Sequence, residues 1–391
     1  MNRLPFLVAV CAAATACSSE SPGALEQTIT DSSRVTIVTA PSLKELPARS
    51  LTGPVLDLAT SEDSSEASIS SRIGSVLRLP DGRLVVADGA SRRLKVFGPD
   101  GSHLRTLGGS QAGAAELSAV TAIWAVDGNR IAAFDRRQRT VFTLSLDGGP
   151  FEASVLAILH ARPRALGRLA SGHVLVRTLA LDLPDTGFEP SQVAITSYRE
   201  DGSVADTVGT WPSARMGRLG QPPLQRVSSP MFEPRVIGAA GGDRLLVSDC
   251  RTAEYLVIDP ELGLERIVRW PAVQDSVTEE DVAAYRAARL EPLAPERQVQ
   301  SRSFLDDMPV NDTMPECDLL RMGPDGRAWV RTFLRPAAPL QRWLVFDPAG
   351  RPLFSLEFPA DTRLMDVGSD HITVIESNLL DVPRIRVYGI E

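Results

Sequence analysis

The sequence predicts an all-β fold, a six-bladed β-propeller of four-stranded antiparallel blades with one helical insert between blades 4 and 5. Three observations predict it. Short apolar runs alternate with tight-turn dipeptides from residue 73 onward, the same pattern recurs in five copies, and a sixth copy lacks its last strand. Small antiparallel sheets repeated about every 40–50 residues stack radially, because one such sheet cannot bury both of its faces alone.

The first copy contains the four strands of one blade. Residues 74–88 hold two apolar runs around Asp81-Gly82, a dipeptide that supplies the positive φ of a hairpin turn. Runs at 94–97 and 103–107 complete a meander. The first turn recurs in the later copies at Asp127-Gly128, Ser171-Gly172, Gly241-Gly242 and Asp325-Gly326.

The last copy supplies three strands from residue 363 onward, so the ring needs a fourth strand from elsewhere. The N-terminal part of the chain has two spare strand-like segments, 34–39 and 55–60. We expect 55–60 to close the ring, because its distance from the first copy matches the spacing between copies. Closure removes the exposed sheet edges that promote aggregation. The predicted propeller covers residues 34–391, with the insert at 271–316.

Three segments of the first copy, 81–88, 93–97 and 101–104, resemble an NHL-type repeat. From residue 34 onward the chain is similar to six-bladed NHL-like or TolB-like propeller lipoproteins and secreted proteins of Gemmatimonadota-type bacteria. The resemblance implies the fold and an extracytoplasmic location. It brings no catalytic residues, because that family is largely uncharacterised.

The N-terminus has the pattern of an export signal. Arg3 precedes the uncharged segment 4–16, which is too short to span a bilayer and suits a signal peptide over residues 1–16. Ala14-Thr15-Ala16-Cys17 resembles a lipobox, so Cys17 is the predicted lipidation site, and residues 17–33 form a polar linker. We expect an outer-membrane lipoprotein facing the periplasm. The alternative is a secreted protein cut near residue 16.

Composition limits the partners. The 391-residue chain has 41 Lys and Arg against 49 Asp and Glu, a net charge of −8, and 5% aromatic residues. This balance argues against nucleic acid as a partner, because phosphates require a positive surface. The expected partner is a protein, a peptide or a small ligand, with membrane contact only through the lipid.

Long segments of the predicted propeller fall on one side of the disc, which we call the long-loop face: 180–192, 211–233 and 271–316. Long loops on a rigid scaffold often bind ligands. Within the last of them, Ser276-x-x-Glu279 has the capping-box pattern and predicts a helix over 278–289. This insert is either a packed cap or a lid that gates a ligand.

Two groups on this face are candidate binding residues. The first group consists of carboxylates at equivalent strand ends with a neighbouring arginine: Asp88, Asp135, Asp249 and Arg251. The second is an aromatic and basic group: Trp211, Arg215, Phe232 and Arg235. The carboxylates could form a cation site, or each could cap its own turn. Cys250 and Cys317 enter adjacent blades on the same face, as a disulfide or as two buried thiols.

No catalytic motif or metal-ligand spacing is evident, and no cofactor is implied. The expected function is an envelope-anchored binding or scaffolding protein that holds its ligand or partner on the long-loop face. An alternative resembles gluconolactonase-type propellers, metal-dependent hydrolases or lyases that hold a divalent cation with acidic and amide side chains. The sequence has the acids but no converging asparagines. A third possibility is a purely structural envelope protein.

We predict that Cys17→Ala moves the protein from the membrane fraction to the aqueous fraction, because the acyl chains are its only membrane anchor. Fractionation of cells followed by immunoblotting measures the change, with Ser18→Ala as the matched control. Membrane association that is unchanged in the Cys17 variant contradicts lipid anchoring.

Overall fold

The computed structural model describes residues 28–32, 35–43, 46–51, 53–60, 66–109, 116–180, 182–220, 225–273, 275–377 and 382–390. In these ranges the chain is all-β apart from two helices, and its strands form six sheets of four to six strands. The predicted signal peptide, Cys17 and most of the predicted linker lie outside the described residues. No helix within the described ranges is long and apolar enough to cross a membrane.

The elements follow in chain order. The N-terminal strands are β1 (Thr28–Ser32), β2 (Val35–Thr39), β3 (Ala48–Arg49) and β4 (Leu56–Ala59). Sheet I contains β5 (Ile73–Arg78), β6 (Leu84–Asp88), β7 (Arg93–Phe97) and β8 (His103–Leu107). Sheet II contains β9 (Val120–Ala125), β10 (Arg130–Asp135), β11 (Thr140–Ser145) and β12 (Glu152–Val155). Sheet III contains β13 (Ala161–Arg168), β14 (Val174–Ala180), β15 (Phe188–Tyr198), β16 (Val204–Leu219) and β17 (Arg226–Ser228).

Sheet IV contains β18 (Ile237–Gly241), β19 (Arg244–Ser248), β20 (Glu254–Asp259) and β21 (Gly263–Arg269). The helices α1 (Glu279–Leu290) and α2 (Pro295–Asp306) follow. Sheet V contains β22 (Cys317–Met322), β23 (Ala328–Thr332), β24 (Leu340–Phe346) and β25 (Pro352–Pro359). Sheet VI contains β26 (Arg363–Val367), β27 (His371–Ser377) and β28 (Pro383–Gly389). Within each sheet, consecutive strands of this core set pair antiparallel in chain order.

The N-terminal strands extend three of the sheets. β4 pairs antiparallel with β28, with Leu58 opposite Ile385, and so supplies the fourth strand of sheet VI. The predicted segment 55–60 contains this strand. The other spare segment, 34–39, contains β2, which pairs in parallel with β21 of sheet IV. β3, which the sequence did not predict, pairs in parallel with β25 of sheet V.

The apolar core is divided into layers between successive sheets. Buried side chains form separate clusters between sheets I and II, II and III, III and IV, IV and V, and V and VI. A further cluster joins sheet VI to sheet I and includes Ile73, Phe97, Ile375 and Ile385. Each sheet therefore buries both faces against its neighbours, which is the requirement that predicted radial stacking.

The first strands of the sheets also approach one another closely. β5 contacts β9, β9 contacts β13, β13 contacts β18, β18 contacts β22, and β26 contacts β5. The Nη2 of Arg321 on β22 donates to the Leu364 carbonyl on β26 at 3.2 Å. A Cβ on Gly167 would overlap the carbonyl oxygen of Ala240, and one on Gly74 would overlap that of Val120. Only glycine permits these backbones to lie so close.

The insert contains two helices where the sequence predicted one. Thr278 caps α1, because its side chain accepts from the Asp281 N–H while the Asp281 carboxylate accepts from the Thr278 N–H at 3.0 Å. The predicted box at Ser276 and Glu279 was therefore wrong by two residues. Ser276 forms a β-bridge with Thr313, so the chain stays extended until Thr278. The sequence did not predict α2, although proline at its first turn is a helix-start signal.

We predict that Gly167→Ala lowers the free energy of unfolding by about 2 kcal/mol or more, because the Ala240 backbone must shift to admit the methyl group. Gly128→Ala is the matched control, since a Cβ there meets no atom within 4 Å. Urea denaturation of both variants measures the difference. Equal stabilities for the two variants contradict the close packing of β13 against β18.

Candidate functional site

One cavity of about 630 Å³ lies where the first strands of all six sheets meet. Its lining takes residues from β5, β9, β13, β18, β22 and β26. This volume is within the range of small-molecule sites, roughly 300–1,000 Å³. The cavity is therefore the described part of the fold best shaped to enclose a ligand.

The lining is strongly basic. Its charged residues are seven arginines and two aspartates: Arg136, Arg162, Arg164, Arg177, Arg321, Arg331 and Arg363, with Asp361 and Asp366. The chain as a whole has a net charge of −8. The positive charge of the cavity is thus a local arrangement of side chains, and overall composition does not explain it.

β-Bulges influence which side chains line the cavity. The pairing of the first and second strands shifts register in sheets I, II, III, V and VI. In β13 the shift falls between Ala161 and Arg164, and Arg162 adopts φ 53°, a left-handed conformation that is rare outside glycine. All of residues 162–166 contribute to the lining. A bulge interrupts the two-residue alternation of a strand and redirects its side chains.

Only one of the seven arginines has a carboxylate partner within 4 Å among the residues that the structure describes. Arg331 donates to the Asp318 carboxylate through its Nε and Nη2 atoms, at 2.6 and 2.9 Å. Arg321 and Arg363 instead donate to backbone carbonyls. The Nε atoms of Arg177 and Arg321 are buried and have no hydrogen-bond partner among the residues that the structure describes. An unpaired charge with an unsatisfied donor is unfavourable in a protein interior.

Two of these arginines have pKa values that are lowered by their surroundings. Burial, together with repulsion from Arg164 and Arg235, lowers the pKa of Arg177 to about 10. Burial and repulsion from Arg164, only partly offset by Asp366, lower the pKa of Arg321 to about 10. Both side chains are still positive at neutral pH. The cavity therefore holds positive charge that the described residues neutralise only in part.

The three predicted carboxylates do not meet. Each accepts hydrogen bonds from backbone N–H groups in its own turn: Asp88 from Ala90, Asp135 from Arg137, and Asp249 from Arg251. None of the three lines the cavity. Within the described ranges, no group of three or more His, Cys, Asp or Glu side chains is placed to hold a metal ion. The contacts correspond to turn capping, the alternative to a cation site.

Two predicted basic residues converge on a carboxylate that the sequence did not single out. Arg215 pairs with the buried Glu233 at 2.9 Å, and Arg251 lies 3.8 Å from the same carboxylate. Asn311 of the insert donates to Glu233 at 2.9 Å and accepts from Arg215. With hydrogen bonds from Arg215 of β16 and Asn311 of the insert, and with the charge of Arg251 nearby, Glu233 joins the insert to the sheets.

The aromatic members of the predicted group serve packing. Phe232 is buried, and its ring centroid lies 5.2 Å from that of Tyr285 in α1. Trp211 lies within β16 and packs on the layer between sheets III and IV, so its assignment to a long loop was wrong. The hairpin of β15 and β16 extends into both predicted loop segments. Arg235 is exposed, and its charge acts on Arg164 and Arg177.

The insert packs as a cap on the long-loop face. Val282, Tyr285 and Leu305 belong to an apolar cluster that includes Phe232 and Phe333. Arg335, after sheet V strand β23, binds Asp281 of α1 at 2.7 Å. None of the described insert residues lines the cavity. The described residues of the insert therefore pack as a cap and do not close over the cavity.

Cys250 and Cys317 form a disulfide in the structure, with Cα atoms 4.9 Å apart. Both residues are buried. The Glu316 N–H donates to the Cys250 carbonyl at 2.9 Å, beside the bond. The bond brackets a sequence separation of 67 residues that contains the insert, and so ties sheet IV to sheet V.

No protein-family model and no curated protein matches this chain. Among solved structures, a Bacteroides fragilis NCTC 9343 protein provisionally described as exported is similar over 90% of this chain and 99% of its own, at 10% identity and TM-score 0.47. A DUF4221 family member from Bacteroides vulgatus ATCC 8482 matches over 87% and 97%, at 10% identity and TM-score 0.47. Virginiamycin B lyase from Staphylococcus aureus matches over 86% and 99%, at 9% identity and TM-score 0.41. Likenesses with TM-scores below 0.5 carry no inference about this chain.

Proposed function

We propose that this chain is an exported binding protein, a closed six-bladed propeller anchored through a lipid on Cys17, and that it binds a small anionic ligand in its central cavity. One observation carries the proposal: six arginines without a carboxylate partner in the described residues line a single cavity of about 630 Å³. The ligand site is thus assigned to the centre of the ring, and not to the loops of the long-loop face.

The proposed ring rests on packing and pairing. Six apolar layers lie between successive sheets, the last of them between sheets VI and I. The N-terminal strand β4 completes sheet VI, so that every sheet has at least four strands. A ring of this kind holds the first strands around a common centre, where side chains from different sheets can act on one ligand.

The proposed anion specificity rests on charge. Two unit charges 4 Å apart interact by about 4 kcal/mol at an effective dielectric constant of 20. An anion that enters the cavity gains this attraction from several arginines, and its oxygens supply acceptors for their guanidinium donors. The same charges repel a divalent cation. The metal-dependent hydrolase or lyase of the sequence-based expectation therefore gains no support from the cavity.

We predict that millimolar inorganic phosphate or acetate raises the Tm in a saturable way over sodium chloride of equal ionic strength. A ligand that binds only the folded state stabilises it by RT ln(1 + [L]/Kd), about 2.7 kcal/mol at 100 times Kd. Differential scanning fluorimetry measures the Tm. The Arg177→Met/Arg321→Met double variant controls for general salt effects, and an identical rise in that variant argues against the cavity as the site.

We predict that Arg177→Met raises the free energy of unfolding by about 1 kcal/mol in anion-poor buffer. The pKa of Arg177 is lower in the folded chain than its usual value, so the charged side chain is destabilising at every pH below about 10. This destabilisation fades as the pH rises above 10, where the side chain loses its proton in the folded state. Methionine keeps most of the apolar stem and removes the charge.

Arg130→Met is the matched control for this measurement, because Arg130 is exposed and pairs with Asp127 at 2.7 Å. The stability of the Arg130 variant should change little, because an exposed ion pair contributes weakly to folding. Chemical denaturation at pH 7 compares the variants. A loss of stability in Arg177→Met similar to that of a core truncation shows that the charge is compensated, and removes the basis for anion binding.

A further inference from the structure

Two arginines of the cavity share an unusual combination of properties. Arg177 lies on β14 of sheet III and Arg321 on β22 of sheet V, and both line the cavity. Each is half-buried, and each has a buried Nε atom without a hydrogen-bond partner in the described residues. A guanidinium group is the planar fork that binds both oxygens of a carboxylate or phosphate. The cavity is thus lined by two guanidinium forks on two different sheets, and neither has a carboxylate partner within 4 Å in the described residues.

The space between these two forks is open. Sheet IV separates sheets III and V, and its contribution to the lining is Gly238, Ala239 and Ala240. Glycine and alanine carry no side chain that could reach across the cavity. A ligand can therefore extend past β18 from the Arg177 side to the Arg321 side.

A third arginine acts electrostatically on both. Repulsion from Arg164 lowers the pKa of Arg177 and that of Arg321. Arg164 lines the cavity and has no carboxylate partner within 4 Å in the described ranges. Because Arg177 and Arg321 stand on sheets III and V, on either side of sheet IV, they are separate anion positions, and Arg164 adds positive charge that acts on both.

The walls between these positions are partly apolar. Leu166 of β13 and Leu319 and Met322 of β22 contribute to the lining. Apolar side chains favour a hydrocarbon spacer over a polar one, because contact removes both from water. The arrangement consists of an oxyanion position, an apolar stretch and a second oxyanion position.

We infer that the ligand is a linear aliphatic dicarboxylate, with one carboxylate bound by Arg177 and the other by Arg321 and with its methylene chain against Leu166, Leu319 and Met322. This inference rests on the proposed function and adds the number and spacing of the charges. It distinguishes a dicarboxylate from a single anion, which would need only one fork.

Isothermal titration calorimetry at constant ionic strength tests the inference with butyrate and with succinate, glutarate, adipate and pimelate. One dicarboxylate should bind per chain, and butyrate should bind twice. A second carboxylate adds charge-assisted hydrogen bonds of about 1.5–3 kcal/mol, which is roughly a tenfold to hundredfold gain in affinity for the best diacid over butyrate.

Arg177→Met and Arg321→Met should each bring the affinity for the best diacid to that for butyrate and leave one butyrate site. Arg130→Met should leave both values unchanged, because Arg130 is exposed on β10 and is not among the lining residues. Circular dichroism of each variant checks that it is folded. Pyrophosphate is the third probe, since it also carries two anionic groups but lacks the apolar spacer.

Equal affinities for butyrate and all diacids, with one site each, overturn the two-fork inference and leave anion binding intact. Tighter binding of pyrophosphate than of every diacid overturns the aliphatic class. Absence of binding by butyrate, the diacids and pyrophosphate overturns both the inference and the proposed function.

Discussion

The close approach of the first strands is the constraint on which the rest of the structure depends. At Gly167 and Gly74 a backbone carbonyl from the first strand of the next sheet occupies the place of a Cβ. These first strands therefore pack backbone to backbone. Each sheet can then bury its faces in apolar layers on either side. The same approach brings arginines from separate sheets to one cavity. Packing between the sheets thus fixes the positions of the charged side chains of the proposed site.

Much of the fold could be predicted because its signals are local. Asp-Gly turns mark hairpins through their positive φ, as at Gly82 with φ 89° and Gly326 with φ 78°. The last copy has only three strands, and the need for a fourth predicted that 55–60 would complete it. Cys250 and Cys317 could be considered as a pair because the repeat assigned them to neighbouring sheets. The capping box of α1 was misplaced by two residues, because the bridge from Ser276 to Thr313 is a tertiary contact with no local signal.

The proposed site could not be predicted from the sequence by the same means. Arg164, Arg177 and Arg321 belong to different strands, and each alone resembles a surface arginine at an ordinary strand position. The bulges that alter alternation on the first strands are not visible in a two-residue pattern. The net charge of −8 argued against nucleic acid, a polyanion, as a partner, whereas the basic cavity lies within an acidic chain. The one available signal was the pair of arginines in Arg162-Pro163-Arg164, which precedes the turn at Ser171-Gly172.

Anomalous diffraction from a crystal soaked in selenate tests anion binding in the cavity most directly, because selenium locates the anion without reference to any expected pose. The account predicts an anomalous peak inside the cavity, with selenate oxygens within hydrogen-bond distance of the guanidinium group of Arg177 or of Arg321. Peaks confined to exposed arginines such as Arg130, with the cavity holding only water, would contradict it.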